Sequence, residues 1–462
     1  MSQLVVPPTT TPPAERLSLS QMLGLATLAA AFVVFSFVVE FRSVFLQRHM
    51  TDLQVYLRAA WAARTGGDIY GITDDNHWHY HYPPLPALLA MPLADAPPDA
   101  DRSGILPFAV SVAVWYWLSV LCLLAGVHIL AKAVDRDAVP GSPRWWGLRF
   151  WPIMACLPPI AASLMRGQVN LMLLALLCGA GAAVLRARPW RAGLYLAAAV
   201  CLKVIPAFLL VYPLWRRDWR CLGGCALGLL AGLLLIPAAW FGPARTAAYF
   251  AEWCDVLARP ALGNGEDHAR DKELVLVTST DSQSLGATIH NTIYLNRDTR
   301  PNQLDPPVRV AHWLGGALMT GVTLLAFGWR PGGHRLRPLL LLGALTLVMV
   351  MVSPVCHLHY FCLALPLVMG LIGHEWEARG SMRPGVGLTV LLAVNFIVNA
   401  LPHLPDTDLT RDLGLAAYAT LLLWLAAVVG LWRTRSEPER QGCLPALGEP
   451  VKVKTSGQLS AT

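Results

Sequence analysis

An unbroken apolar run from Met22 to Val39 carries no charge. As a helix it is long enough to cross the ~30 Å hydrocarbon core of a bilayer. Similar blocks recur along the chain, which is 55% hydrophobic and only 14% charged, with a mean hydropathy of +0.48. A soluble domain carries about 25% charged residues. Backbone amides in lipid must be satisfied within their own segment, so these blocks read as helices. The residue alternation that a membrane barrel needs is absent. The chain therefore reads as an all-α, multi-pass membrane protein, a polytopic bundle of about twelve crossings. The first block is too long for the apolar part of a signal peptide, and no small-residue cleavage site follows Val39, so it reads as a permanent anchor. Residues 1–19 and 434–462, polar and rich in Pro, Thr or Gly, read as disordered cytoplasmic tails around one membrane domain over 20–433.

The net charge of +7 does not point to nucleic acid, because the basic residues fall in short clusters between apolar blocks. The ten cysteines form no disulfide framework and no paired CxxC motif for zinc. Most lie inside apolar blocks as small core residues; only Cys254 and Cys356 are placed near the outer face.

The crossings fall near 21–40, 105–131, 148–165, 169–186, 192–202, 205–215, 219–241, 307–329, 335–353, 357–373, 384–401 and 414–432. Pro206 has no amide hydrogen and disfavours helix at Ile205, which predicts a break at Lys203-Val204-Ile205-Pro206. With that break, basic clusters at 132–149, 186–191, 216–220, 330–337, 379–383 and 433–435 all face the cytoplasm, as does each terminus. The segment 83–94 is then a short re-entrant or interfacial helix. The alternative lets 83–94 cross and makes 192–215 one span, at the cost of an outward-facing 132–149 loop. In the preferred arrangement the polar segments 42–82, 166–170, 242–306 and 353–360, together with Lys203, all lie outside. No Gly-rich phosphate loop is present. An activated substrate must then arrive by lipid.

Asp52 is the first acidic residue beyond the outer end of the first span. It is placed to deprotonate a hydroxyl at the bilayer surface, or merely to cap a helix that starts at Thr51-Asp52. Asp68, Asp74 and Asp75 read as turn residues. His77, His79 and His81 alternate with Trp78, Tyr80 and Tyr82. This pattern suits an interfacial aromatic belt, a stacking platform for a sugar, or a three-histidine metal site. Lys203, amid apolar residues, either lines a path and meets a phosphate or snorkels to the interface. Arg166, beside Gly167 and Gln168, has the same prospect. His357 and His359, after Pro354, are either buried structural histidines or part of a site. Gly224, Gly228 and Gly232 mark close helix packing.

The ordered set Asp52 with Tyr56, Tyr70, Tyr82-Pro83-Pro84-Leu85, Gly167-Gln168-Val169-Asn170, Leu202-Lys203-Val204-Ile205-Pro206, Gln283-Ser284-Leu285 and Ser353-Pro354 followed by His359-Tyr360 resembles glycosyltransferase family 87, of the GT-C superfamily. The resemblance spans about residues 20–430. It departs after Ser353-Pro354, where Cys356, His357 and Leu358 replace the family's usual aromatic and acidic residues. The resemblance implies an inverting transfer of a sugar, foremost mannose, from a polyprenyl-phosphate-sugar donor to a glycolipid or glycan hydroxyl. It implies Asp52 as general base, Lys203, His359 and Arg166 around the departing phosphate, and Tyr56, His79, Tyr82, Gln168, Asn170, Gln283 and His357 in contact with substrate. Without a nucleotide diphosphate in the scheme, neither metal nor other cofactor is required. A transporter or lipid flippase is the rival; it calls for midplane charges and half-sequence repeats, neither of which is clear here.

Overall fold

The computed structural model describes residues 19–45, 51–258, 282–329, 333–405 and 407–435. The tails expected at 1–19 and 434–462 lie outside the described residues except for Leu19, which opens the first helix, and Thr434 and Arg435. Among those described, the fold is helical throughout, and one isolated β-bridge, Thr73 to His79, is the sole strand-like pairing. Seven helices are long and apolar enough to cross a membrane, or eight if a bent pair counts as one span. The expected twelve crossings are not confirmed at that count. Several expected spans are short helices, namely Asn170–Leu185, Pro189–Leu202, Ile205–Trp215 and Arg337–Val352.

The physical reason lies in how they are buried. Helix α1 (Leu19–Phe45) is peripheral and meets the bundle mainly along α4 (Phe108–Val134), where the Tyr116 hydroxyl donates to the Phe32 carbonyl at 2.9 Å. The Arg337–Val352 helix, by contrast, is buried over nearly its whole length, from Leu339 to Met351. A helix apolar on every side belongs at the centre of a bundle, and it need not match the lipid thickness. Arg337, expected in a solvent-facing basic loop, is instead buried at its start. Its guanidinium donates to the carbonyls of Phe327 (2.7 Å) and Leu431 (3.4 Å), which close the ends of two other helices. A cation suits those carbonyl-rich C-termini.

Three local features shape the site. After α1 the chain forms α2 (Thr51–Thr65), a hairpin-like loop, and the short α3 (Pro84–Leu89) with a 3₁₀ turn at Met91–Leu93. The 83–94 segment is thus too short to cross, as the preferred reading required. Next, α5 (Pro143–Ala155) and α6 (Leu157–Arg166) meet at a bend of 66°, where Pro158 and Pro159 follow Cys156 and withhold two amide donors. Gly167, at φ +68°, ends α6 in the left-handed region and turns the chain into α7 (Asn170–Leu185). Finally α8 (Pro189–Leu202) stops at Lys203, whose backbone is extended, before the 3₁₀ segment Ile205–Leu210. Gly224, Gly228 and Gly232 pack on α8: a Cβ on each would meet Trp190, Ala197 or Cys201 at 2.5–2.6 Å.

Contacts sort the loops into two ends of the bundle. One end joins Arg245 and Tyr249 to the Gly67 carbonyl, Lys203 to Asn170, and Gln283 to Arg411. The other joins Trp215 to Gly328, Arg136 to Leu185, and His334 to Glu377.

Candidate active site

Asp52 stands in the first turn of α2, and the whole helix is braced from below. Arg58, two turns on, is 2% exposed and sits between Asp75 (2.8 Å) and Asp95 (3.2 Å). Gln54 donates to Asp75 as well, at 2.6 Å. Asp75 is therefore an anchor of α2 rather than a free turn residue. Burial raises the Asp95 carboxyl pKa, and Arg58 pulls it back. Asp74 does act as a turn residue, accepting from the amides of Asn76 and Trp78. Arg58 and Asp95 are both buried, so removing either partner is costly, and the pair ties α2 to the loop that follows it.

The Asp52 carboxylate is partly exposed, yet its Oδ2 is buried and accepts no hydrogen bond. Its nearest cation is Arg166, whose Nη1 lies 3.8 Å away at the end of α6. One turn further along α2, the buried Tyr56 hydroxyl donates to Gln168 Oε1 at 3.3 Å, and the Tyr82 hydroxyl joins the same cluster. Tyr82 packs its ring on Tyr56, with centroids 4.8 Å apart. Tyr56 also stacks on Trp115 at 5.7 Å.

Lys203 closes the cluster from the α8 break. It is 5% exposed, its Nζ donates to Asn170 Oδ1 at 3.3 Å, and it lies 4.0 Å from the Tyr360 ring centroid and 5.5 Å from that of Tyr82. An ammonium over an aromatic face is attracted to the ring quadrupole, the more so when desolvated. Lys203 does not snorkel to solvent: it is fixed in the interior. Asn170 donates onward to the His359 carbonyl at 3.4 Å, and Ser163 Oγ donates to that carbonyl at 3.1 Å. His359 is itself buried, its Nε2 has no hydrogen-bond partner, and its ring stacks on His357 at 5.2 Å.

The structure thus brings together Asp52, Tyr56, Tyr82, Arg166, Gln168, Asn170, Lys203, His357 and His359. It holds the other two predicted site residues by different contacts. His79 pairs with Thr73 in the loop. Gln283 donates to the Arg411 carbonyl at 2.6 Å, and its backbone amide donates to Cys356, so it clasps the 353–360 turn. Three residues not singled out for the site belong to it: Tyr360, Trp115 and Ser163. Tyr360 adjoins His359 in sequence and was open to discovery as an aromatic partner for a buried lysine. Trp115 and Ser163 lie inside apolar blocks and gave no signal. Among the described residues no group of three His, Cys, Asp or Glu is placed to hold a metal ion, and His77, His79 and His81 do not form one.

Apolar helices with a carboxylate, a buried amine and a guanidinium gathered at one end define a multi-pass, all-α membrane protein with a polar centre at that end of the bundle. The sequence profile of glycosyltransferase family 87 matches residues 80–354. The chain belongs to glycosyltransferase family 87, and it is a membrane hexosyltransferase. The matched stretch contains Tyr82, Arg166, Gln168, Asn170, Lys203 and Gln283; Asp52 precedes it and His359 follows it. A polyprenol-phosphate-mannose-dependent alpha-(1-2)-phosphatidylinositol mannoside mannosyltransferase of Mycobacterium tuberculosis is 28% identical over 86% of this chain and 88% of its own. The protein of that name from Mycolicibacterium smegmatis is 32% identical over 41% of this chain and 44% of its own. Crystal structures of ArnT from Cupriavidus metallidurans, bound to undecaprenyl phosphate and in the apo state, align over 89% of this chain and 78% of theirs. Their identities are 15% and 14%, and their TM-scores 0.38 and 0.36.

Proposed function

We propose that this protein moves mannose from a polyprenyl-phosphate-mannose donor to a hydroxyl of a glycolipid or glycan acceptor, with inversion, at the external face of the membrane. The donor class follows the names of the relatives, and the GT-C class follows the family. The observation that carries the chemistry is Asp52 Oδ2, buried without a hydrogen bond beside Arg166. Such an acceptor lone pair is free to take a proton.

In the step, the acceptor O–H gives its proton to Asp52 while its oxygen bonds to the anomeric carbon. The bond from that carbon to the phosphate oxygen breaks on the opposite side. Polyprenyl phosphate leaves with the electron pair. A positioned base contributes about 10²–10⁴-fold. Preorganised cations stabilise the charge that grows on the leaving phosphate, and Lys203 and Arg166 fill that role, with His359 beside them. Phosphate is a good leaving group, so the second carboxylate that a glycosidase uses as an acid is not needed. Tyr82, half-buried beside Asp52, offers a ring face and a hydroxyl to a sugar, and Tyr56 and Gln168 hold it from behind.

Two measurements test this reading. Purified protein supplied with membrane lipid is expected to move radiolabel from polyprenyl-phosphate-mannose into a new product and to leave a labelled nucleotide sugar untouched. Label that crosses vesicles unchanged would favour the flippase instead. For the face, Asn76→Cys in a cysteine-free background, at an exposed loop position, is expected to react with an impermeant maleimide on intact cells. Labelling only after lysis would place the Asp52 end inside and overturn the external assignment.

A further inference from the structure

At the end of the bundle away from Asp52 lies an open cavity of about 620 Å³ whose polar walls are all basic or imidazole: His128, Lys132, Arg136, Arg186 and Arg188. Its place follows from the helices that form it. Helix α7 starts with Asn170 beside Lys203 and ends at Leu185, ~24 Å away at 1.5 Å per residue. Helix α4 runs alongside in the same direction, so two helix C-termini meet here. Arg136 on the α4 side donates to the Leu185 carbonyl at 2.6 Å, and Arg186 on the α7 side donates to the Ile129 carbonyl at 3.3 Å. Arg136 satisfies the end of α7, the ordinary use of a cation at such a place, and Arg186 ties α7 to the last turns of α4.

Lys132 and Arg188 have no such task. Both are exposed, and among the described residues neither side chain has an ion-pair or hydrogen-bond partner. No carboxylate lines the cavity. Of the two acids nearby in sequence, Asp135 is buried and paired with Arg144, and Asp137 is exposed and outside the lining. The rim is aromatic: His128 meets the edge of Trp145, Arg149 donates to His128 at 3.3 Å, and the Arg149 guanidinium lies 3.6 Å from the Trp145 ring centroid. Indole rings favour the headgroup level of a bilayer. A cavity with surplus positive charge at that depth is built for an anion carried by lipid.

We propose that this cavity binds a phosphate-bearing anion, the headgroup of an acidic phospholipid in the leaflet opposite the catalytic centre, through Lys132 and Arg188. The site is separate from the transfer reaction and does not depend on it. Basic pockets between membrane helices recognise phosphate headgroups by this chemistry, and each basic residue near the surface contributes about a five-fold gain.

Detergent-purified full-length protein is titrated, in separate arms, with phosphatidylglycerol, phosphatidylcholine and inorganic phosphate, and binding is read by microscale thermophoresis. Wild type is expected to bind phosphatidylglycerol saturably and phosphatidylcholine not at all. The double variant Lys132→Gln/Arg188→Gln, which leaves Arg136 and Arg186 in place, is expected to bind phosphatidylglycerol about 25-fold more weakly. Elution of the variant at the wild-type volume excludes misfolding as the cause. Inorganic phosphate that binds as tightly as the lipid and competes with it supports the anion site with a soluble source. Equal binding of phosphatidylglycerol by wild type and double variant overturns the proposal, and leaves the basic residues to membrane orientation alone.

Discussion

Purified Asp52→Asn is expected to bind donor normally and to lose about two to four decades of transfer rate. The substitution keeps the side chain's size and removes its capacity to take a proton, together with the negative charge that faces Arg166. Asn caps a helix about as well as Asp, so a capping role would leave activity intact. The negative charge near the α2 N-terminus also interacts with the helix dipole, but that contribution is about 0.3–1 kcal/mol. A loss of two to four decades corresponds to about 3–5 kcal/mol of barrier. The two accounts therefore differ by several-fold in energy, and a rate assay on protein that elutes like wild type separates them. Arg58, Asp75 and Asp95 hold the rest of α2 independently of residue 52, so the variant is expected to fold.

Lys203→Met is expected to weaken use of the donor about 10- to 150-fold in kcat/KM. Met keeps much of the length and packing against Tyr360 and Tyr82 while removing the charge. Losing a charge-assisted hydrogen bond to phosphate costs about 1.5–3 kcal/mol, which converts to that range. Activity that falls through donor affinity and turnover, with an unchanged elution volume, assigns Lys203 to the phosphate. Unchanged kinetics would show that its contacts with Asn170 and Tyr360 serve only the fold.

The solvent was legible in the sequence because apolar runs such as Met22 to Val39 admit one environment. The break at Lys203 was legible because Pro206 forbids a continuous helix, and the same break lets a buried lysine end up beside Asn170. Asp52 was legible by its isolation at the mouth of the first span. Helix count was not, because the Arg337–Val352 helix is shielded by protein and freed from matching the bilayer. Partners distant in sequence were hidden as well. Trp115 looks like any aromatic residue of an apolar block until Tyr56 stacks on it. Asp75 looked like a turn residue because its partner Arg58 lies on another element. Gln283 carries a motif residue's identity, but its contacts clasp Cys356 and Arg411 rather than Asp52.

The central claim is a single displacement at the anomeric carbon, with Asp52 as base and a lipid phosphate as leaving group. It is tested most directly by supplying reconstituted protein with polyprenyl-phosphate-mannose of one defined anomeric configuration and reading the configuration of the product by stereospecific mannosidase digestion. The account predicts a mannosylated product of opposite configuration, formed by wild type and nearly absent with Asp52→Asn. A product that retains the donor's configuration would contradict it, because retention by two successive displacements would make Asp52 a covalent nucleophile rather than a base.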